Sequence, residues 1–407
     1  MGGLLSVIDF EVGWGVHTPW IVLIGFSLIF GVSWRGLRKT KRKFSTSQHG
    51  TSDIKDNDPK EISEEIIPLP DFDWKSTEPL KFRPFKPIYH LTMGKRLSAN
   101  KSHQFSSRLL LSTEDQLNVD LGLTRLTISD LIAMDKTYLS RVTLRKEIMR
   151  THPSTVLQAR PESTSAVNEL YTFLFSIYLP QRFPQIFLLT STSLYNTATC
   201  SSIPLTPSSD PIENLSRIGE NIDDEFLILL KAEDGDGYVL KAFVTCFPSG
   251  FDTEKKLGLR LREIHAPVPG YKEKLEMSMD RFFDRLEVGR VVSRVNWSIT
   301  THDKLFAPYG NHLYADEEAQ EEEVDINNTY LRCERQLLHR LPYSKALIFS
   351  FKTYLYPISE IKEEGLGEDL ATAIDGLKAG SVPQMNVYKK AIVWGEAVQS
   401  FLRDTSA

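Results

Sequence analysis

The stretch Glu225–Phe247, EFLILLKAEDGDGYVLKAFVTCF, contains two apolar, strand-like runs joined by a turn. The first run is Glu225–Leu230, and the second is Gly237–Phe247. The two Asp-Gly pairs between the runs supply the backbone freedom that a tight hairpin turn needs. The pattern therefore predicts an antiparallel hairpin.

Segments with helical apolar spacing lie on both sides of this hairpin. They are Ile128–Met149, Ala166–Leu179 (ended by Pro180), Tyr271–Leu286, Leu366–Leu377 and Val387–Leu402. Because helices are mixed with an antiparallel hairpin, we expect an α+β fold rather than a doubly wound parallel sheet.

Two further segments have more ambiguous patterns. Ala346–Leu355 alternates apolar and polar residues in its later part and is a strand candidate. In Leu331–Pro342 the charged residues recur at helical spacing, so that Arg332 and Gln336 would share one face. This spacing predicts a salt-bridged surface helix that continues through Gln336–His339.

The composition is that of an ordinary globular protein. The chain has 407 residues, of which 41% are hydrophobic and 25% charged, with a net charge of −5. Residues 316–325 contain seven carboxylates, and without them the net charge would change from −5 to +2. We expect a solvated loop there. The mild net acidity argues against a nucleic-acid surface, and three cysteines without metal spacing give neither a disulfide framework nor a zinc site.

Near the N-terminus, Trp20–Trp34 reads WIVLIGFSLIFGVSW and has no charged side chain. Six of the next nine residues, Arg35–Lys43, are basic. The pattern favours a single transmembrane helix over a secretory signal, whose positive charge would come before the apolar run, and over a buried core helix. The positive-inside rule then places the body in the cytosol, and the short span is compatible with the thin endoplasmic reticulum bilayer.

These patterns divide the chain into three parts. We expect residues 1–43 to form the membrane anchor with its basic stop, and residues 44–70, which are polar and aperiodic, to form a flexible tether. Residues 71–407 would form one large domain with a C-terminal helical extension.

One loop has features of a site. In Ile264–Tyr271, IHAPVPGY, two prolines restrict the backbone after His265. A stiff loop could hold the imidazole as an axial metal ligand or a general base, or His265 could be a packed loop residue. Phosphate-loop, nucleophile-elbow, HExxH and CxxCH motifs do not occur in the sequence.

Taken in order, short motifs of this chain resemble the α-subunit of haem-dependent oxidative N-demethylase and the fungal proteins that share its domain. The resemblance runs from about Tyr89 to Leu355. The motifs are Thr92–Gly94, Asp135–Tyr138 with Arg145, Glu169-Leu170 leading to Leu179–Pro184, Asp223–Leu227, Cys246–Gly250, Lys256–Gly258, Ile264–Pro269, Arg294–Trp297, Glu334–Gln336 and Arg340–Pro342.

The resemblance implies a PAS-like antiparallel sheet flanked by helices that holds haem b. The family enzyme demethylates a small secondary amine and releases formaldehyde. It takes electrons from NADPH through a flavin and iron–sulfur reductase, which must be a separate protein here because the sequence has no such motif. Membrane-tethered oxidative demethylation is the leading hypothesis. A haem-based PAS-like sensor and a non-catalytic scaffold are the alternatives.

The resemblance also implies roles for six residues. His265 matches the axial haem ligand, and Arg294 and Arg335 could pair with haem propionates or form internal ion pairs. Asn296 and Trp297 would line the pocket. Glu334 could transfer a proton or bind a cationic amine, or it could cap an Arg-rich turn.

Overall fold

The computed structural model describes residues 65–83, 85–91, 123–314, 317–320 and 322–405. Residues 1–64, which include the predicted membrane span, lie outside these ranges. The motif Thr92–Gly94 also lies outside them. Within the ranges, helices long and apolar enough to cross a membrane are absent. The last residues of the predicted tether are described: Leu69 packs against the core and its N–H donates to the Arg182 carbonyl at 2.8 Å.

Two antiparallel sheets form the β part of the described chain. The strands are β1 Thr124–Leu126, β2 Leu157–Ala159, β3 Phe187–Leu189, β4 Ser193–Asn196, β5 Ser201–Pro204, β6 Glu225–Lys231, β7 Tyr238–Val244, β8 Val291–Thr300, β9 Tyr330–Arg340 and β10 Leu347–Pro357. The main sheet has the order β1-β8-β9-β10-β6-β7-β2, and β3, β4 and β5 form a small separate sheet.

Helices flank the main sheet. They are α1 Tyr138–Thr151, α2 Pro153–Val156, α3 Thr164–Thr172, α4 Leu179–Arg182, α5 Pro211–Asn221, α6 Leu261–Ile264, α7 Tyr271–Lys274, α8 Glu276–Arg285, α9 Ile358–Glu363, α10 Gly367–Ala379, α11 Met385–Tyr388 and α12 Ala391–Arg403. The expected α+β class with a large antiparallel sheet flanked by helices is confirmed.

The predicted hairpin is confirmed as β6 and β7, which pair antiparallel from Phe226 opposite Val244 to Lys231 opposite Tyr238. The strand expected at Ala346–Leu355 is confirmed as β10. Both strands of the hairpin are largely buried, which explains their nearly continuous apolar sequence.

The helix predicted in Leu331–Pro342, including Gln336–His339, is wrong. This segment is β9, which lies between β8 and β10 near the centre of the main sheet. Its charged side chains are buried instead of solvated: the Arg332 guanidinium, for example, donates to the backbone carbonyls of Phe247 and Pro248 at 2.9 and 3.2 Å. The helix prediction assumed that regularly spaced charged side chains lie on an exposed face, whereas in β9 they are buried.

Several helix boundaries also differ from the prediction. The segment Thr164–Arg182 stays helical through a wide π turn at Phe173–Tyr178, so it ends after Pro180 rather than at it. Pro180 is the second residue of α4, which follows the π turn directly. Tyr271–Leu286 forms two helices, α7 and α8, and the last helix begins at Ala391 after Lys390 adopts a left-handed backbone.

Alternation along the strands gives the main sheet two different faces. The odd-numbered side chains of β9 point to the face covered by α1, α3 and α5 at one end and by α9–α12 at the other. The even-numbered side chains of β9 point to the opposite face, where Val292, Leu338 and Leu347 pack against α6, α7 and α8. This second face bounds the main cavity.

Candidate functional site

A cavity of about 270 Å³ lies between the even-numbered face of β9 and the helices α6–α8. This volume is near the lower end for ligand pockets in proteins. Most of the wall is apolar, with side chains from the sheet and from the helices. They include Leu229, Leu240, Leu338, Phe349, Leu261, Leu275 and Phe283.

His265 lies in the cavity wall directly after α6. Its Nδ1 is 2.8 Å from the Leu261 carbonyl oxygen. Because a carbonyl oxygen can only accept, Nδ1 carries the proton and Nε2 keeps a free lone pair. Burial lowers the pKa of His265 to about 4, and the nearby cations Lys256 and Arg294 act in the same direction. The imidazole is therefore neutral at physiological pH, the form that binds a metal.

The proline-containing loop fixes the position of this ring. The Val268 N–H donates to the His265 carbonyl at 2.9 Å, and the imidazole stacks on Tyr271 with ring centroids 5.0 Å apart. Gly270 has a φ of +71°, which allows the chain to turn sharply into α7. Backbone bonding and ring stacking together hold the orientation of the imidazole.

Five side chains form a hydrogen-bonded row across the floor of the cavity, which we call the polar array. Lys389 Nζ donates to Asn296 Oδ1 at 3.2 Å, and Asn296 Nδ2 is 3.5 Å from Glu334 Oε2. Gln336 Nε2 donates to the same Glu334 oxygen at 2.8 Å, and Arg294 Nε donates to Gln336 Oε1 at 2.6 Å. The array thus runs from cation to amide to carboxylate to amide to cation.

The charges of the polar array are separated by amides instead of being paired directly. In the described part of the chain, neither Arg294 nor Lys389 has a carboxylate in salt-bridge contact, and Glu334 Oε1 has no hydrogen-bond partner. Burial lowers the pKa of Lys389 to about 8 and also lowers the pKa of Arg294. Lys256, above the Phe251 ring at 4.8 Å, adds a further cation whose pKa burial lowers to about 8.

A second histidine, His312, also lines the cavity. Its ring stacks on Tyr388 at 4.5 Å, and its Nδ1 is 3.4 Å from the Gly250 carbonyl oxygen. Burial lowers the pKa of His312 to about 3. Gly250 has a φ of +69°, and a Cβ at this position would lie 2.4 Å from the His312 Nδ1. Only glycine allows this close approach of the two chains. Because burial lowers its pKa, His312 is a second neutral imidazole available to the cavity.

Four of the six residues predicted for the site line the cavity: His265, Arg294, Asn296 and Glu334. Trp297 and Arg335 do not. Trp297 packs in the core beside the C-terminal helices, and the Arg335 guanidinium donates to the backbone carbonyls of Asp130 and Leu131. Both are odd-numbered neighbours of cavity residues in a strand, and strand alternation sends their side chains to the other face.

Four polar residues that line the cavity and bear on its chemistry were not predicted as site residues: Lys256, His312, Gln336 and Lys389. Gln336 would have been found if β9 had been recognised as a strand, because it lies two residues after Glu334. Gly250, within the quoted motif Cys246–Gly250, is an indirect signal for His312. Lys389 had no local signal, because the fold brings it from the C-terminal extension.

An antiparallel sheet with an apolar cavity, a neutral histidine and cations without a direct carboxylate partner among the described residues defines an α+β domain with a candidate ligand pocket. The chain belongs to the family described as "Haem-dependent oxidative N-demethylase, alpha subunit-like", whose model matches residues 122–399. The matched range contains most of the described fold, from β1 into α12. The family inferred from the ordered motifs is thereby confirmed.

Proposed function

We propose that this protein is a haem b-binding oxidoreductase with a PAS-like fold that oxidatively demethylates a small amine. The observation that carries the proposal is the free Nε2 of His265 in the wall of an apolar cavity. Membership of a family named for haem dependence supports it.

The cavity residues fit a haem chemically. His265 Nε2 would bind the haem iron, and the hydrogen bond from His265 Nδ1 to the Leu261 carbonyl would fix the tautomer and the orientation of the ring, as such contacts do for histidines in metal sites. The apolar side chains match a porphyrin face. Lys256 and Arg294 lack carboxylate partners among the described residues and would pair with the two propionates. Bound haem would supply the iron at which oxygen is reduced and an N-methyl group oxidised.

Glu334 is the residue that we assign to the amine. Its Oε2 is held by the Asn296 and Gln336 amides, which leaves Oε1 to accept a hydrogen bond from a substrate ammonium or to take its proton. The carboxylate is only 6% exposed, so the cavity shields this interaction from bulk water.

Oxidative demethylation consumes oxygen, an electron pair and two protons, and it yields formaldehyde, the demethylated amine and water. We propose that a separate flavin and iron–sulfur reductase provides the electrons from NADPH. The absence of flavin, nicotinamide and iron–sulfur motifs from the sequence supports a separate donor.

We also propose that Trp20–Trp34 anchors the protein in a membrane, with the domain in the cytosol and the endoplasmic reticulum as a compatible location. The uncharged apolar run followed by the basic cluster supports this. The full chain should stay in the membrane pellet after alkaline extraction, whereas a chain that starts at residue 60 should be released. Release of both would contradict the anchor.

The catalytic proposal is tested by haem content followed by formaldehyde release. The full chain should show a Soret band and release formaldehyde from dimethylamine with a surrogate reductant and oxygen. Glu334→Gln should lower the rate by roughly 10²- to 10⁴-fold while keeping the Soret band, because only a carboxylate can neutralise the ammonium or accept its proton.

Glu318→Gln is the matched control, since Glu318 is exposed in the acidic loop, and its rate should equal that of the wild type. A Soret band without formaldehyde release would contradict the enzyme hypothesis and favour the haem-sensor alternative. A folded protein without any haem would instead leave the scaffold hypothesis.

A further inference from the structure

Lys389 is a buried cation whose hydrogen-bonding capacity is only partly used. Its ammonium donates to Asn296 Oδ1 at 3.2 Å and to the Trp297 carbonyl, and it lies 5.2 and 5.3 Å from the ring centroids of Tyr89 and Trp297. An ammonium has three donors, and the third has no acceptor in the described ranges. The residue is 2% exposed. A buried charge of this kind is costly unless an anion accompanies it.

Lys389 lies beside Glu334 in the polar array. Its ammonium donates to Asn296 Oδ1 at 3.2 Å, and Asn296 Nδ2 is 3.5 Å from Glu334 Oε2. Lys389 therefore lies at the Glu334 end of the cavity, where the proposed amine would bind.

We propose that Lys389 binds a carboxylate of the substrate while Glu334 binds its ammonium, so that a zwitterionic N-methyl amino acid is a better substrate than a simple alkylamine such as dimethylamine. This inference rests on the proposed demethylase function. It adds a recognition residue from the C-terminal extension, which would thus complete the substrate site.

The polar array has the geometry for such a ligand. One side-chain amide, that of Asn296, separates Lys389 Nζ from Glu334 Oε2. An α-amino acid presents its ammonium and carboxylate at a similarly short separation, so it can contact both residues at once. Glu334 Oε1 and the third Lys389 donor are two positions of the polar array without hydrogen-bond partners among the described residues, and they have opposite charge.

The reaction balances for this substrate as for a simple amine. The N-methyl carbon is oxidised and its bond to nitrogen breaks, releasing formaldehyde and the primary amino acid. Oxygen is the oxidant, and the electron pair comes from the proposed reductase. The second oxygen atom leaves as water after taking up two protons.

The test compares the binding of N-methylglycine and dimethylamine to the haem-supplemented full chain by isothermal titration calorimetry. The wild type should bind N-methylglycine roughly 10- to 100-fold more tightly, because a charge-assisted hydrogen bond adds that much. In Lys389→Met the ratio of the two Kd values should fall to about one. Lys389→Gln, which keeps donors for the Asn296 and Trp297 oxygens but no charge, should give the same loss if the Met variant misfolds.

Lys390→Met is the matched control. Lys390 is the next residue, but it pairs with Glu322 at 3.0 Å and does not line the cavity, so the variant should keep the wild-type ratio. Equal affinity of the wild type for both ligands, or an unchanged ratio in both Lys389 variants, would overturn the inference.

Haem content distinguishes the remaining outcomes. If the Lys389 variants lose haem and keep the ligand ratio, the carboxylate at Lys389 is a haem propionate and the substrate inference is wrong. If the wild type binds no haem, the proposed function fails, while the calorimetric ratio still decides whether Lys389 recognises a carboxylate.

Discussion

The polar array and the network around Arg145 are both built from buried charges, but they pair these charges differently. The Arg145 guanidinium contacts the Glu225 carboxylate directly, and its Nε donates to the Gly219 carbonyl at 2.9 Å. Glu225 also accepts from the backbone N–H groups of Cys246 and Phe247 at 2.6 and 3.2 Å. Beside it, Lys352 forms ion pairs with two aspartates, Asp135 and Asp223, at 2.9 and 3.2 Å.

In the polar array, by contrast, amides lie between Glu334 and each cation. The Arg145 network pairs its cation directly with a carboxylate and joins α1, β6 and the loop after β7, which is a folding role. The polar array leaves charges available to a ligand. Buried charge alone therefore does not identify a functional site, whereas buried charges that line a cavity and lack a direct partner of opposite charge do so here.

The largest effect is expected from breaking the Arg145 network. Arg145→Met removes one partner of a fully buried pair and leaves Glu225 uncompensated, which should lower the free energy of unfolding by about 3–5 kcal/mol. Urea denaturation would measure this loss. Arg294→Met, in the polar array, should change stability by only about 1 kcal/mol, because no carboxylate loses its direct partner. Equal losses in the two variants would contradict the distinction.

The two regions should also differ in how pH changes the free energy of unfolding of their variants. The expected change is on the order of 1–3 kcal/mol. Burial raises the pKa of Asp224, beside the Arg145 network, to about 7 from its usual 3.8. The folded protein then holds this proton more tightly than the unfolded chain, so wild-type stability falls as pH rises from about 4 to 7. Asp224→Asn should remove this fall.

Lys389 has the opposite dependence. Burial lowers its pKa from 10.5 to about 8, so the unfolded chain binds more protons between these values and stability rises with pH there. Lys389→Met should therefore be most stabilising, relative to the wild type, below pH 8, and this advantage should fade toward pH 10.5. Urea denaturation across pH would measure both profiles, and parallel profiles for the two variants would contradict the comparison.

Much of the fold could be predicted from local patterns, because the hairpin β6–β7 and strand β10 have apolar sequences that match their burial. β9 could not, because its charges are compensated inside the protein by partners distant in sequence, such as the carbonyl of Phe247 that binds Arg332. A prediction from the local sequence pattern does not take partners that are distant in sequence into account.

The candidate site shows the same limit. The ordered motifs led to His265, Arg294, Asn296 and Glu334, which the fold brings to one cavity. Trp297 and Arg335 were included because motifs are contiguous in sequence, whereas strand alternation places neighbours on opposite faces. Lys389 lies nearly fifty residues after Arg340, the last residue of β9, and only its hydrogen bond to Asn296 in the folded protein reveals it.

The most direct test of His265 as the haem ligand is a haem titration of the full chain, followed through the Soret band, for the wild type and three histidine variants. We predict that the wild type and His152→Ala, an exposed control, bind haem with equal affinity and the same spectrum. His265→Ala should lose the histidine-ligated spectrum and most of the affinity, and His312→Ala should keep that spectrum. A wild-type spectrum in His265→Ala, or its loss in His312→Ala alone, would contradict the assignment of His265 as the residue that holds the cofactor.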